Sequence, residues 1–426
     1  MRLPSRRLFA CILAAAATAS STATGGPPDM IPCGYEVTQL DGPFVPGWGP
    51  TNLNLYDLND VGVAVGSFSL LDPYPCTWSE AEGVKPIALP PGVQSGTAVR
   101  INNNGWILVN AEVAAYGDRG FVLMPNGAGY TWIPMIPPTP NGTGWSYVNG
   151  INDKNQVVGT ESVDTQSSPP IYPFGGFQWS LEIGRVAIQI EGWNTTSCTD
   201  INDAGLICGN VSQTQVADPF TEDVRAFVLV GASAVVIEPP PPFTKSEARK
   251  VNASGTIAGN VRTEPTPDIP WSETAGFTYS LGEGRLNIIE PPVGHARWWI
   301  VDLNNSGVAI GTTNLTTTSW IGPPCAAADG VCVDLSATFP VPFNTKARDG
   351  LAITSDGTLL TDCSTKCTLR AKPVVHAADL DCDGLVGAAD LALLISMWGS
   401  GDSADLDGDG VVAGGDLGLL LQAWSS

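Results

Sequence analysis

The hydrophobic pattern of this chain is short and recurrent. An apolar residue leads to an Asn, then to a polar turn ending in Gly, then to two or three apolar residues and usually another Gly. Thr199-Asp-Ile-Asn-Asp-Ala-Gly-Leu-Ile-Cys-Gly-Asn210 shows it most fully, and the Asn falls at 59, 102, 152, 202, 252 and 304, with Thr354 in a worn seventh copy. The steps are 43, 50, 50, 50, 52 and 50 residues. Repeats of about 50 residues signal a propeller or another array. Each copy predicts a β-hairpin, because the Gly three residues after the Asn suits a three-residue loop closed by a left-handed residue. In the third copy Asn155 takes that place, and Asn is among the side chains that best tolerate positive φ. Asp and Asn within the loop read as turn chemistry, since they can hydrogen-bond the turn's backbone.

Downstream of each hairpin comes an aromatic strand, as in Arg119-Gly-Phe-Val-Leu123, Gly175-Gly-Phe-Gln-Trp179, Arg225-Ala-Phe-Val-Leu229 and Ala275-Gly-Phe-Thr-Tyr279. A fourth apolar run follows, as in Val186-Ala-Ile-Gln-Ile190, and proline clusters such as Pro239–Pro242 close the unit. Four strands per 50 residues make one propeller blade. The seventh copy lacks its fourth strand, whereas the N-terminal Gly34–Leu40 is a strand without a hairpin. That strand is expected to complete the last unit and hide its edge. The predicted class is therefore mainly β: a seven-bladed propeller-like domain over residues 33–372, closed by an N-terminal strand, with six or eight blades or an open array as alternatives.

These repeats resemble the bacterial extracellular HAF repeats, named for a His-Ala-Phe triplet on the aromatic strand. Arg225-Ala-Phe227 is the nearest copy, none retains the His, and the resemblance spans roughly residues 50 to 370. It implies architecture and no activity.

After Pro373 the pattern changes to a helical one. Leu391, Leu394, Ile395 and Trp398, then Leu417, Leu420, Leu421 and Trp424, stand at i, i+3, i+4 and i+7. Each helix follows an acidic loop. Asp379, Asp381, Asp383 and Asp390 hold positions 1, 3, 5 and 12 of the first, and Asp405, Asp407, Asp409 and Asp416 hold those of the second, 26 residues later. With position-7 carbonyls from Leu385 and Val411, and Gly at position 6, this spacing supplies the oxygens that wrap calcium. Two calcium ions are expected. The duplicated loop and helix resemble a type I dockerin, which implies docking to a cohesin, often within polysaccharide-degrading complexes. Gly387 and Ala413 at position 9 offer no side-chain oxygen, and Ala388-Ala389 and Gly414-Gly415 stand where cohesin-reading hydroxyl pairs usually sit.

Composition narrows the setting. Glycine (48) and proline (35) are abundant among 426 residues, and charged residues reach only 15%, which suits short strands and tight turns. A net charge of −22 argues against nucleic acid or an anionic membrane as partner. Arg2, Arg6 and Arg7 before the apolar run Leu8–Ala17 predict a secretory signal over residues 1–19, with cleavage as late as 23, through the Sec or the Tat route. No later stretch is apolar enough to span a bilayer. Export permits disulfides, and the close pairs are Cys198/Cys208, Cys325/Cys332 and Cys363/Cys367, with Cys33/Cys76 a further pairing and Cys382 left over.

Two functions compete. One is a secreted, non-enzymatic binding or scaffold protein. The other is a glycoside hydrolase or polysaccharide lyase on a propeller, with a polysaccharide as substrate. Glycosidases need two carboxylates flanking the scissile bond, but Asp57, Asp200 and Asp302 all follow the repeat, two residues before the Asn. No pair breaks the symmetry, and two histidines disfavour a Ser-His-Asp site. The non-enzymatic reading is preferred, with no catalytic residue assigned. Trp145, Trp193, Trp298 and Trp299 are read as packing between units rather than as a sugar-stacking face.

Overall fold

A computed structural model describes residues 34–424 apart from 46–48, 70, 115, 128, 136–143, 163–173, 214–222, 265–273, 293, 315–322, 329, 336–346, 364–366, 375–377, 381–385, 401–403 and 408. The chain is mainly β and propeller-like. Among the described residues, each hairpin and the two strands after it build an antiparallel meander in sequence order. The fourth copy is typical: Thr195–Ile201, Ile207–Gln213, Asp223–Val230 and Ser233–Ile237. The meanders of the fifth and sixth copies join through one parallel pairing of Thr274 with Arg297. Gly34–Leu40 pairs antiparallel with Thr368–Val374 along its whole length, so the last meander takes its fourth strand from the N-terminus, as the sequence predicts.

The turns match expectation. In each copy the Asn N–H bonds across a three-residue loop, as from Asn202 to Leu206 O at 3.1 Å. The loop-closing glycines hold φ between 76° and 86°, and Asn155 holds 59°. One feature of the inner strands lay beyond the sequence reading. Every copy carries a β-bulge just before its turn, as between Cys198 and Asp200. The signal is present in the spacing. Buried Cys198 and Ile201, like Leu55 and Leu58, stand three apart, which a strict period of two does not allow. The bulge presses one strand onto the next. A Cβ on Gly209 would lie 2.0 Å from Ser197 O and 2.8 Å from the Phe227 ring, so only Gly fits beneath that aromatic.

The core is divided between neighbouring sheets rather than central. Phe227 packs with Val158 and Ile188 of the preceding unit, while Val228 faces Ala248, Ile257 and Phe277 of the next. This split corrects the expected Cys198–Cys208 disulfide. Cys198 pairs with Gly209 and Asp200 with Cys208, and the two thiols sit in different interfaces. Both are free and buried. Neighbours across a pleat point to opposite faces, and the bulge prevents the hairpin from aligning them. Cys325 is likewise a free, buried thiol beside Thr313 Oγ1, so the Cys325/Cys332 bond is not formed. Cys363–Cys367 is a disulfide. Cys76 is also free and buried, so the Cys33/Cys76 pairing is not formed; Cys33 and Cys382 themselves lie outside the described residues.

The C-terminal segment carries α1 (Ala388–Ser396) and α2 (Gly414–Gln422). Leu394 and Leu420 are fully buried with Leu380, Val386, Ala404 and Val412, and Leu391 and Leu417 pack at the margin. The two units are tied by Gly399 N–H to Val412 O at 2.9 Å and Val412 N–H to Ser400 O at 2.7 Å. Ile395, Trp398, Leu421 and Trp424 remain exposed.

Candidate functional site

The turns of all seven copies converge on one cavity of about 190 Å³. Three rings of side chains build its wall. The Asn of each turn forms the first, and it is structural. Its Oδ1 accepts the N–H four residues on, as from Leu206 to Asn202 at 2.9 Å. Its Nδ2 donates to the backbone carbonyl of the Asn position in the following copy. This link runs from Asn59 to Asn102 (3.0 Å), Asn102 to Asn152 (2.9 Å), Asn152 to Asn202 (2.9 Å), Asn202 to Asn252 (2.8 Å), Asn252 to Asn304 (3.3 Å) and Asn304 to Thr354 (3.2 Å). These Asn side chains are buried, so each amide satisfies groups that would otherwise be costly to bury.

The residue after each Asn forms the outer ring at the mouth. Asp60 N–H bonds Asn103 Oδ1 at 2.9 Å, Asn103 N–H bonds Asp153 Oδ1 at 2.8 Å, and Asp153 N–H bonds Asp203 Oδ1 at 2.8 Å. From the seventh copy, Ser355 N–H bonds Asp60 Oδ1 at 2.9 Å, so the chain of turn contacts returns to the first copy. From the third strand of the last copy, Thr368 Oγ1 lies 3.0 Å from Leu55 N and 3.2 Å from Leu53 O on the first inner strand, again joining the last copy to the first.

The third ring, two residues before each Asn, contains Asp57, Arg100, Gly150, Asp200, Lys250, Asp302 and Ala352. The bulge aims these positions inward. In the sequence the three Asp stand as one symmetric set, and nothing there marks Arg100 and Lys250; the structure brings all five charges to one cavity. Each Asp gives one oxygen to the following copy. Ile101 N–H reaches Asp57 Oδ2 at 2.8 Å, Val251 N–H reaches Asp200 Oδ2 at 3.1 Å, and Ile353 N–H reaches Asp302 Oδ2 at 2.9 Å. Lys250 Nζ lies 3.2 Å from Asp302 Oδ1.

Burial raises the Asp57 carboxyl above the ordinary carboxylate range, against the pull of Arg100 and Lys250. It raises Asp200 as well, opposed chiefly by Lys250. Burial and Arg100 push the Lys250 ammonium down, yet Asp200, Asp302 and Asp57 together hold it above its usual value. Burial pushes the Cys198 thiol up to about 12, which leaves it an inert packing group.

The tryptophans do not form one face. Trp298 is fully buried, Trp299 lies under Arg249 with 4.9 Å from guanidinium carbon to ring centroid, Trp145 stacks on Tyr147 at 5.3 Å, and Trp193 packs on the third–fourth interface. His295, 3.3 Å from Asp334 through Nε2, lies off the cavity lining.

In the C-terminal segment, Asp405, Asp407 and Asp416 bring one carboxylate oxygen each to within 4.8 Å of one another. Asp416 opens α2 and is buried; it accepts N–H groups of Leu406 (2.6 Å) and Ala413 (2.6 Å), and these amides lower its carboxyl pKa. In the first loop Asp390 accepts from Leu380 and, at 2.7 Å, from Gly387. Asp409 turns to Val411 N–H at 2.9 Å. Asp379 precedes Leu380 in the first loop, whereas Asp381, Asp383 and Leu385 lie outside the described residues.

No family model and no curated protein matches the chain. Similar solved structures are propeller proteins. Virginiamycin B lyase from Staphylococcus aureus is 9% identical over 80% of this chain and 100% of that one, with a TM-score of 0.49. The β-propeller domain of the Trilobed protease from Pyrococcus furiosus is 12% identical over 69% and 85%, with a TM-score of 0.45. The likeness is one of architecture alone.

Proposed function

We propose that the chain is an exported, non-enzymatic binding and scaffold protein: a seven-bladed propeller closed by its N-terminal strand, tethered through a calcium-binding, dockerin-like module. Residues 1–19 are the proposed secretory signal, and residues 373–426 the proposed module, whose partner is a cohesin-like protein associated with extracellular polysaccharide breakdown. The closed ring is supported by the Ser355–Asp60 and Thr368–Leu53 contacts. The scaffold reading is supported by the use of the cavity Asp residues, each of which holds the next copy's backbone.

One observation carries the tethering role: Asp405, Asp407 and Asp416 converge although like charges repel. The donor set fits a hard cation. All ligands are oxygens, and Gly415 leaves the Asp407 carboxylate its space, since a Cβ there would lie 2.1 Å from Oδ2. Asp405, Asp407, Asp409 and Asp416, with the Val411 carbonyl, would hold one ion. Asp379, Asp381, Asp383, Asp390 and the Leu385 carbonyl would hold the second. Calcium there supplies charge neutralisation. With nine Asp and no Lys or Arg in residues 373–426, two ions leave −5, and binding energy becomes folding energy.

Titration calorimetry of the mature chain tests this. Two calcium ions per chain are expected, falling to one in Asp409→Ala and one in Asp383→Ala. Stoichiometry unchanged by either substitution overturns the calcium role. Turnover in a polysaccharide-hydrolysis screen, abolished by Asp57→Asn or Asp200→Asn, overturns the non-enzymatic reading in favour of the hydrolase or lyase.

A further inference from the structure

The symmetry of the repeat breaks in the fifth copy. Three residues before the Asn, the third and fourth copies carry Asn149 and Thr199, which bind the backbone of the next copy. Asn149 Nδ2 donates to Cys198 O at 2.8 Å, and Thr199 Oγ1 donates to Ala248 O at 3.2 Å. The fifth copy carries Arg249 there, the extra residue of the bulge between Ala248 and Lys250. Ten residues after the Asn, Ser162 and Ser212 give way to Arg262. Five residues before the Asn, the sixth copy has Trp299 where the fifth has Glu247. These four side chains meet.

Glu247 uses both of its oxygens. Oε2 accepts from Arg249 Nη2 at 3.3 Å and Oε1 accepts from Arg262 Nη2. Both guanidinium carbons lie over the Trp299 ring, 4.9 and 6.0 Å from its centroid. One carboxylate and one ring thus hold two planar cations beside each other. The cations still crowd. Burial pushes the Arg249 pKa down, Glu247 raises it, and Arg262 and Arg100 lower it again.

Two guanidiniums against one carboxylate leave one positive charge, and their donors are not exhausted. Nε of each is buried without a partner, and among the described residues no hydrogen bond reaches Nη1 of either. The side chains remain 36% and 30% exposed, so an acceptor has access to their outer edges. Neighbouring cations are differently placed: Lys250 pairs with Asp302, Lys245 with Glu264, and Arg225 with Asp223 and Glu238.

We propose that Arg249 and Arg262 bind the carboxylate of a small organic ligand, one oxygen on each Nη1. A single negative charge neutralises the pair, whereas a doubly charged phosphate or sulfate would set a surplus charge beside Glu247. Planar guanidiniums match a planar carboxylate, and Glu247 with Trp299 fixes them before the ligand arrives, so little side-chain freedom is lost on binding. The carboxylate comes from a free organic acid or from a uronate of a saccharide.

Titration calorimetry of the mature chain with galacturonate, its methyl ester, acetate and sulfate, with calcium equal in cell and syringe, decides the matter. One galacturonate per chain is expected, with the uncharged ester at least about tenfold weaker. Arg249→Gln and Arg262→Gln should each weaken binding about tenfold or more, the loss of one charge-assisted bond; a thermal melt confirms that each variant is folded. Should either fail to fold, Arg249→Lys and Arg262→Lys keep the charge and the stem but lose the planar fork, and should weaken binding severalfold. In the unaltered chain galacturonate should raise Tm and its ester should not. Acetate as tight as galacturonate assigns the site to free organic acids, and galacturonate about tenfold tighter assigns it to uronates; both uphold a carboxylate site. No saturable binding of either carboxylate at millimolar concentration, equal affinity for the ester, tighter binding of sulfate, or indifference to the substitutions overturns the proposal. Failure here leaves the calcium stoichiometry of the C-terminal module untouched.

Discussion

The repeat array and the C-terminal module are both duplications that place Asp, Asn and Gly in loops, and they use the polar atoms in opposite ways. In the array each copy spends its side-chain oxygens and amides on the backbone of the next: Asn202 on Asn252 O, Asp200 on Val251 N–H, Asn210 on Ala248 N–H at 2.8 Å. In the module Asp405, Asp407 and Asp416 accept amides of their own loop and bring one oxygen each to within 4.8 Å of one another. Polar groups satisfied by neighbours hold copy to copy. Polar groups that oppose each other are the basis of the calcium role proposed for the module.

The largest expected effect breaks the array at its seam. Deleting Gly34–Leu40 uncovers the Thr368–Val374 edge and removes buried Tyr35 and Leu40. A loss of about 5 kcal/mol is expected from two large buried side chains and a strand ladder. Chemical denaturation measures it; a truncated chain with the midpoint of the mature protein refutes the seam.

Chelation tests the other half. Removing calcium from the mature chain should lower the transition of residues 373–426 by about 3 kcal/mol relative to calcium at 100-fold its Kd, leaving the transition of the repeats in place. Fluorescence of Trp398 and Trp424, 51% and 39% exposed, together with helical circular dichroism, follows it. A single transition indifferent to chelator contradicts the contrast.

Within the array, Asn202→Ala strips Leu206 N–H and Asn252 O of their partner. About 2–3 kcal/mol should be lost, since each buried group left unsatisfied is costly, whereas exposed Asp203→Ala should cost under about 0.5 kcal/mol. Equal losses would show that the buried link is not what binds copy to copy.

The smallest effect is electrostatic. Asp57 is raised in the folded state, so its charged form is disfavoured by folding. The folded chain holds that proton to higher pH than the unfolded one, and stability falls as pH rises from the ordinary carboxylate value through the raised one. Asp57→Asn keeps the Ile101 contact and removes the charge. It should raise Tm at pH 7, with the gain vanishing below the ordinary carboxylate range. A gain that persists in acid points to packing instead.

The sequence alone determined the period, the hairpins, Asn155 as a stand-in for Gly, the borrowed N-terminal strand and the C-terminal helix faces. All of these follow from local rules: alternation, positive φ, helical spacing. The inward ring was not legible in the same way. A one-residue bulge decides which of Thr199 and Asp200 faces the axis, and only the spacing of Cys198 and Ile201 hinted at it. The Cys198–Cys208 pairing failed for the same reason, because nearness in a hairpin does not set the face. Nor could one copy reveal that Asp57, Arg100, Asp200, Lys250 and Asp302 share a cavity. Residues up to 245 positions apart meet only when the copies assemble around an axis, and burial and neighbouring charge there shift Asp57, Asp200 and Lys250. Local spacing chose the elements; the tertiary arrangement decided which side chains became one site.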